Sequence, residues 1–134
     1  MVVSAIVFSS SFIAGCGKEA PSTVTAVDGQ PVKVTMDERR FSISRLNVKT
    51  GQTVTFEFAN HGAVGHEAFI GTEAEQRHHG EDREAAADRA RTVEVGKDSV
   101  GRLTYTFDTP GDLIVGCHVA GHYQDGMKFV VHVA

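Results

Sequence analysis

One pattern constrains the fold more than any other: an alternation of apolar residues near the C-terminus, interrupted once. Leu113, Val115 and Cys117 fall on one side of an extended chain, and so do Met127, Phe129, Val131 and Val133. Successive side chains of a strand point to opposite faces, so each set reaches a common core only if the chain runs as strands on both sides of the interruption. The interruption itself, Cys117-His118-Val119-Ala120-Gly121-His122-Tyr123-Gln124-Asp125-Gly126-Met127, is a short loop. Cys117 closes the first inward-facing set, so its thiol points to the interior end of a sandwich.

The same period-two signal recurs upstream. Val32, Val34 and Met36 alternate with polar residues, as do Val54, Phe56 and Phe58, and Leu103, Tyr105 and Phe107. Phe41, Ile43, Leu46 and Val48 form shorter pieces with an irregularity near Ser44-Arg45. Turn signals stand between the runs at Gly29, Thr50-Gly51 and Asp108-Thr109-Pro110-Gly111. Many short strands with such turns predict an all-β antiparallel sandwich or barrel. At 134 residues there is room for one domain, read as 31–134, with residues 16–30 as a tether and first strand. Residues 72–91 differ, being rich in Glu, Arg, Ala and Gln with no β-branched residue between Thr72 and Thr92. They read as a solvated, charged insertion outside the sandwich core, partly helical around Glu81 to Arg91. A short linker in their place is expected to leave the fold intact.

The loop carries chemistry. Cys117 offers a soft thiolate, His122 an imidazole and Met127 a weak thioether. A trigonal His2Cys plane with a long axial Met is the donor set of a type 1 copper site, and the loop lacks one histidine. His66 is preferred for that place, because it begins a strand just after the Asn60–Gly65 loop; His61, in the same loop, is the runner-up. His118 follows Cys117 directly and points away from it by alternation. His132 reads as a surface histidine. His78 and His79 read as solvated, with a weak accessory metal site beside Glu75 or Glu81 as the other reading. Zinc would accept Cys and His, but an axial Met argues against it.

The net charge of −4 gives no reason to expect a nucleic-acid partner. No stretch reaches the roughly 20 apolar residues of a spanning helix. Residues 1–15 are apolar and small and read as an export signal, although no Lys or Arg precedes the apolar run. Ile13-Ala14-Gly15-Cys16 resembles the lipobox of bacterial lipoproteins, which implies a lipid anchor at Cys16, a membrane association, and a place in the periplasm or on the outer face of the cytoplasmic membrane.

The run Tyr105-Thr106-Phe107-Asp108-Thr109-Pro110-Gly111, followed by Cys117, Gly121-His122, Gly126-Met127 and Val131, resembles the cupredoxin family. With four residues between Cys117 and His122 and four between His122 and Met127, the loop looks like the longer loops of rusticyanin and auracyanin. The resemblance implies a Greek-key β-sandwich holding one copper ion, with His66, Cys117 and His122 equatorial and Met127 axial. It implies a monomeric one-electron carrier rather than an enzyme, docking a redox partner near His122, around Val119, Ala120 and Tyr123. An exported copper-binding protein for copper resistance or delivery is the alternative. Two positions depart from the family pattern: Glu67 stands where plastocyanin and azurin carry Asn, and Lys128-Phe129 follow Met127 where a Gly is usual. The loop also resembles the His-Cys-His end of multicopper oxidases, but Gly116 replaces the first histidine and the chain is too short for their several domains.

Overall fold

The computed structural model describes residues 21–82 and 88–134. Residues 1–20, with the expected signal segment and Cys16, lie outside the described residues, as does the stretch 83–87. In chain order the elements are β1 (Ser22–Thr25), β2 (Val32–Asp37), β3 (Arg40–Phe41), β4 (Ile43–Val48), β5 (Gln52–Asn60), β6 (His66–Gly71), α1 (Glu73–Glu81), β7 (Thr92–Val95), β8 (Val100–Phe107), β9 (Gly111–Gly116) and β10 (Lys128–Val133). They make the expected all-β sandwich of two sheets, one six-stranded in the order β1-β4-β10-β9-β6-β7 and one four-stranded in the order β3-β2-β5-β8.

Both sheets are mixed. The neighbours β5–β8, β9–β10, β6–β9 and β6–β7 are antiparallel, whereas β1–β4, β4–β10 and β2–β5 are parallel. Alternation reports which face a residue takes and not the direction of the neighbouring strand, so the parallel pairs had no local signal. The irregularity at Ser44 is real. Ser22 pairs with Ile43 but Thr23 pairs with Arg45, so Ser44 is skipped, and the inward positions Ile43 and Leu46 are three apart.

The core lies between the sheets. Phe56 and Phe58 from β5 stack at 5.5 Å between centroids, and Phe41 meets Phe129 edge to face at 5.3 Å across the sandwich. Burying each such ring stabilises the fold by about 1.5–3 kcal/mol. Val115, Cys117, Met127 and Val131 join this core, as the C-terminal alternation requires.

The insertion lies between β6 and β7, as expected, and its first half is helical. Of the stretch expected to be partly helical, Glu81 to Arg91, residues 83–87 lie outside the described residues and Arg89 to Arg91 form a turn. The helix runs over Glu73–Glu81. Thr72 fixes the start through a capping box: the Glu75 N–H donates to Thr72 Oγ1 (3.3 Å) and the Thr72 N–H to Glu75 Oε2 (2.7 Å). The insertion is not wholly solvated. Gln76 and His79 are buried on the outer face of the six-stranded sheet. β6 is consequently buried at every position, on both faces.

Candidate metal centre

The order β10-β9-β6 sets three chain ends side by side. Cys117 leaves the end of β9, Met127 enters β10, and His66 opens β6. The loop between β9 and β10 is closed by its own backbone. The Cys117 N–H donates to the Met127 carbonyl (3.1 Å), the Met127 N–H to the His122 carbonyl (2.9 Å), and the His122 N–H to the Val119 carbonyl (2.9 Å). Gly121 and Gly126 turn the loop with φ of 81° and 93°, a region costly for side chains with a Cβ. These contacts fold the stretch back on itself, so that Cys117, His122 and Met127, apart in sequence, are tied at one end of the sandwich.

Three donor atoms converge there. Cys117 Sγ lies 3.9 Å from His66 Nδ1 and 3.6 Å from His122 Nδ1. Metal–imidazole and metal–thiolate bonds of about 2.0 and 2.3 Å, arranged trigonally, would set N and S about 3.8 Å apart. The three donors therefore fit one ion in their plane. All three residues are buried, and Met127 is fully buried beside them.

His66 is positioned from behind. Asn60, at the end of β5, is buried; its Nδ2 donates to the Val64 carbonyl (2.8 Å) and lies 3.1 and 3.2 Å from the carbonyls of Val95 and Gly96, while its Oδ1 accepts from the Gly62 N–H (2.8 Å). The Asn60–Gly65 loop is thus braced by one amide side chain. Gly62 leaves room for the imidazole: a Cβ there would stand 2.8 Å from His66 Nε2.

The pairing of β6 with β9 runs from Gly71↔Ile114 to Phe69↔Gly116 and then gives way. Beyond that point the Glu67 N–H donates to Cys117 Sγ at 3.4 Å, the thiolate taking the place of a ladder carbonyl. Both donor imidazoles are held below the ordinary histidine range. For His66 the causes are burial first, then the neighbouring His122, opposed by Glu38 and Asp37. For His122 they are burial first, then Arg39, opposed by Asp125 and Glu38. The neutral form that a metal requires is thereby favoured.

The remaining histidines divide. His61 is exposed and outside the convergent group; its N–H donates to the Met36 carbonyl (2.8 Å). His132 pairs with Asp112 at the surface (2.7 Å). His78 is exposed, but His79, expected to be solvated, is buried against Glu67 and stacked on Phe69 at 4.1 Å. His118 points away from Cys117's side, as alternation requires, and is buried too: Nε2 bonds Gln76 Oε1 (2.8 Å), and the ring stacks on Tyr123 at 4.5 Å. Sequence reading missed Asn60, Gln76 and His79 as parts of the site. The capping box at Thr72 and Glu75 was the available signal for the helix that carries two of them.

A family profile described as a cupredoxin-like domain matches residues 3–118. The chain belongs to the cupredoxin-like family, and His66, Cys117, His122 and Met127 form its type 1 copper-like site. Among individual relatives, it is 32% identical over 101 residues to the "copper-resistant cuproprotein CopI" of Rubrivivax gelatinosus, covering 72% of this chain and 61% of that protein. Among solved structures, dithionite-reduced auracyanin from Roseiflexus castenholzii superposes with a TM-score of 0.68 at 24% identity, covering 86% of this chain and 98% of that one. Auracyanin A of Chloroflexus aurantiacus, a "blue" copper protein, gives 0.64 at 26% identity, covering 78% and 100%.

Proposed function

We propose that the protein is a one-electron carrier that binds a single copper ion through the Cys117 thiolate and the Nδ1 atoms of His66 and His122, with Met127 as a weak axial ligand. The observation that carries this reading is the convergence of one buried Sγ and two buried Nδ1 atoms at 3.6 and 3.9 Å. Bound copper supplies a Cu(I)/Cu(II) couple. The protein's part is to hold the donors where both oxidation states accept them. Cys117 is anchored by the Glu67 N–H, His66 by the braced loop after Asn60, and His122 and Met127 by the backbone bonds of their own loop. No substrate pocket is needed, and we read no enzymatic role.

Electrons would pass by way of His122. Its neighbours Ala120 and Gly121 are exposed, Val119 and Tyr123 are half-buried, and Val64, 48% exposed, belongs to the loop that leads to His66. That small, weakly charged rim suits a transient redox partner. Export and a lipid anchor at Cys16 complete the reading, on the strength of the Ile13-Ala14-Gly15-Cys16 run. Membrane fractionation of the wild type and Cys16→Ser tests the anchor. Release of the variant into the soluble fraction supports it, and unchanged association contradicts it.

A second reading is copper tolerance, in which occupancy matters more than redox cycling. The similarity to a copper-resistant cuproprotein favours it. Titration with Cu(II), followed by reductant and re-oxidation, separates the two. An intense visible thiolate-to-copper band that bleaches and returns reversibly supports electron transfer. A tight colourless Cu(I) complex that does not cycle supports copper handling.

A further inference from the structure

The outer face of the six-stranded sheet holds a polar, aromatic layer that copper binding as described does not use. Its members are Glu67 and His118 on the sheet side and Gln76 and His79 on α1. Glu67 directly follows the ligand His66, and His118 directly follows the ligand Cys117. Each is gripped by the same helix. His79 Nε2 pairs with the Glu67 carboxylate, both side chains being 2% exposed. Gln76 Oε1 bonds His118 Nε2 at 2.8 Å, and Gln76 Nε2 donates to the carbonyls of Phe69 (3.0 Å) and Ile114 (2.7 Å), one on each ligand-bearing strand. Positions three apart lie on one face of a helix, so a single turn of α1 holds the residue after each of two ligands.

The grip is close-fitting. His79 stacks on Phe69 with the rings 8° from parallel. A Cβ at Gly116 would stand 2.7 Å from Gln76 Oε1 and 2.6 Å from the Tyr123 ring, and one at Gly80 would stand 3.0 Å from His118 Nδ1. Both glycines therefore admit the contact. It also explains why a side chain is excluded at Gly116, where the multicopper oxidases carry histidine.

We propose that α1 is a positioning element for the copper thiolate, acting through His79 on Glu67 and through Gln76 on His118. The Glu67 backbone N–H is the donor to Cys117 Sγ, so the grip on the Glu67 side chain fixes that bond. Hydrogen bonding to the cysteine sulfur tunes a type 1 site. A donor to sulfur favours the reduced state, in which the sulfur carries more electron density. The charged insertion is thus a working part of the site and not an appendage. This inference rests on the copper reading above.

The test compares wild type, His79→Ala, His79→Gln, Gln76→Ala and the exposed-face control Arg77→Ala. His79→Gln retains an N–H donor toward Glu67. Three quantities are read: exchange of the Glu67 amide in the metal-free protein, the position of the thiolate-to-copper band, and the reduction potential. We expect His79→Ala to exchange Glu67 N–H at least tenfold faster, to shift the band and to lower the potential. His79→Gln should restore much of each, and Arg77→Ala should match wild type. If His79→Ala does not fold, His79→Gln and Gln76→Ala carry the test, each with a smaller shift in the same direction. Band, potential and exchange all equal to wild type in folded His79 and Gln76 variants would overturn the proposal while leaving the copper site standing. Absence of the band in wild type itself, or its persistence in Cys117→Ser, would instead overturn the copper reading.

Discussion

β6 and β9 are buried on two faces, and the two burials differ in kind. Inward, Ala68, Ile70, Val115 and Cys117 meet the aromatic core. Outward, Glu67, Phe69, Gly116 and His118 meet α1. Apolar packing is non-directional and tolerates any side chain of about the right volume. Buried polar groups need partners at defined positions, and losing one partner is costly. The inward face therefore drives folding, and the outward face fixes where the residues beside the ligands stand.

The largest effect should come from the inward face. Phe56→Ala removes a fully buried ring and should cost about 3–5 kcal/mol by chemical denaturation of the metal-free protein. Copper colour should survive in whatever fraction stays folded. By contrast Ile70→Val, a small change on the same face, should cost about 0.5–1.5 kcal/mol and leave the spectrum alone. If Ile70→Val disturbed the copper band as much as an outward substitution, the division of labour would be wrong.

Gly116→Ala probes the outward face by crowding it. Its Cβ would stand 2.6 Å from Tyr123 and 2.7 Å from Gln76, so about 1–3 kcal/mol should be lost. The thiolate band should move as well, because the grip on His118 is displaced. A destabilised variant with an unmoved band would show that the outward layer serves stability alone.

Acid should sharpen the comparison at the ligands. In the metal-free protein His66 and His122 titrate below the ordinary histidine value of about 6.5 that an unfolded chain follows. Below that pH the unfolded chain binds more protons than the folded one, so folding is disfavoured. Their contribution is complete above about pH 6.5 and is lost as pH falls through the folded values. Denaturation midpoints should therefore drop as pH falls below about 6.5. The drop should shrink in His66→Phe. A midpoint that rose on acidification would contradict the direction assigned to both rings.

The smallest effect belongs to the surface. Arg39 and Asp125 form an exposed pair between the β2–β3 turn and the copper loop. Arg39→Ala should change stability by no more than about 1 kcal/mol. A larger loss, measured by the same denaturation, would mean that this turn clamps the loop.

How much was legible follows from the same division. Strand faces, the bulge at Ser44 and the inward aim of Cys117 were readable, because alternation is local and records burial. The ligand set was readable because three donors share one loop and His66 opens a strand. Strand direction was not, since parallel and antiparallel neighbours leave the same alternation. The helix at Glu73–Glu81 was not foreseen because composition outweighed the capping box at Thr72 and Glu75. His79 was misread as solvated because a histidine among charged residues has no periodic signal; only the fold brings it against Glu67. Asn60 read only as the start of a loop, although its amide braces that loop into His66.

The most direct measurement is the visible spectrum of Cu(II)-loaded wild type beside Cys117→Ser, His66→Ala and His61→Ala. An intense charge-transfer band is predicted in wild type and in His61→Ala. It should be absent in Cys117→Ser, and in His66→Ala it should be altered and sensitive to added imidazole, which can enter the open position. A band that persisted in Cys117→Ser, or that vanished in His61→Ala while surviving in His66→Ala, would contradict the site built here from β6, β9 and β10.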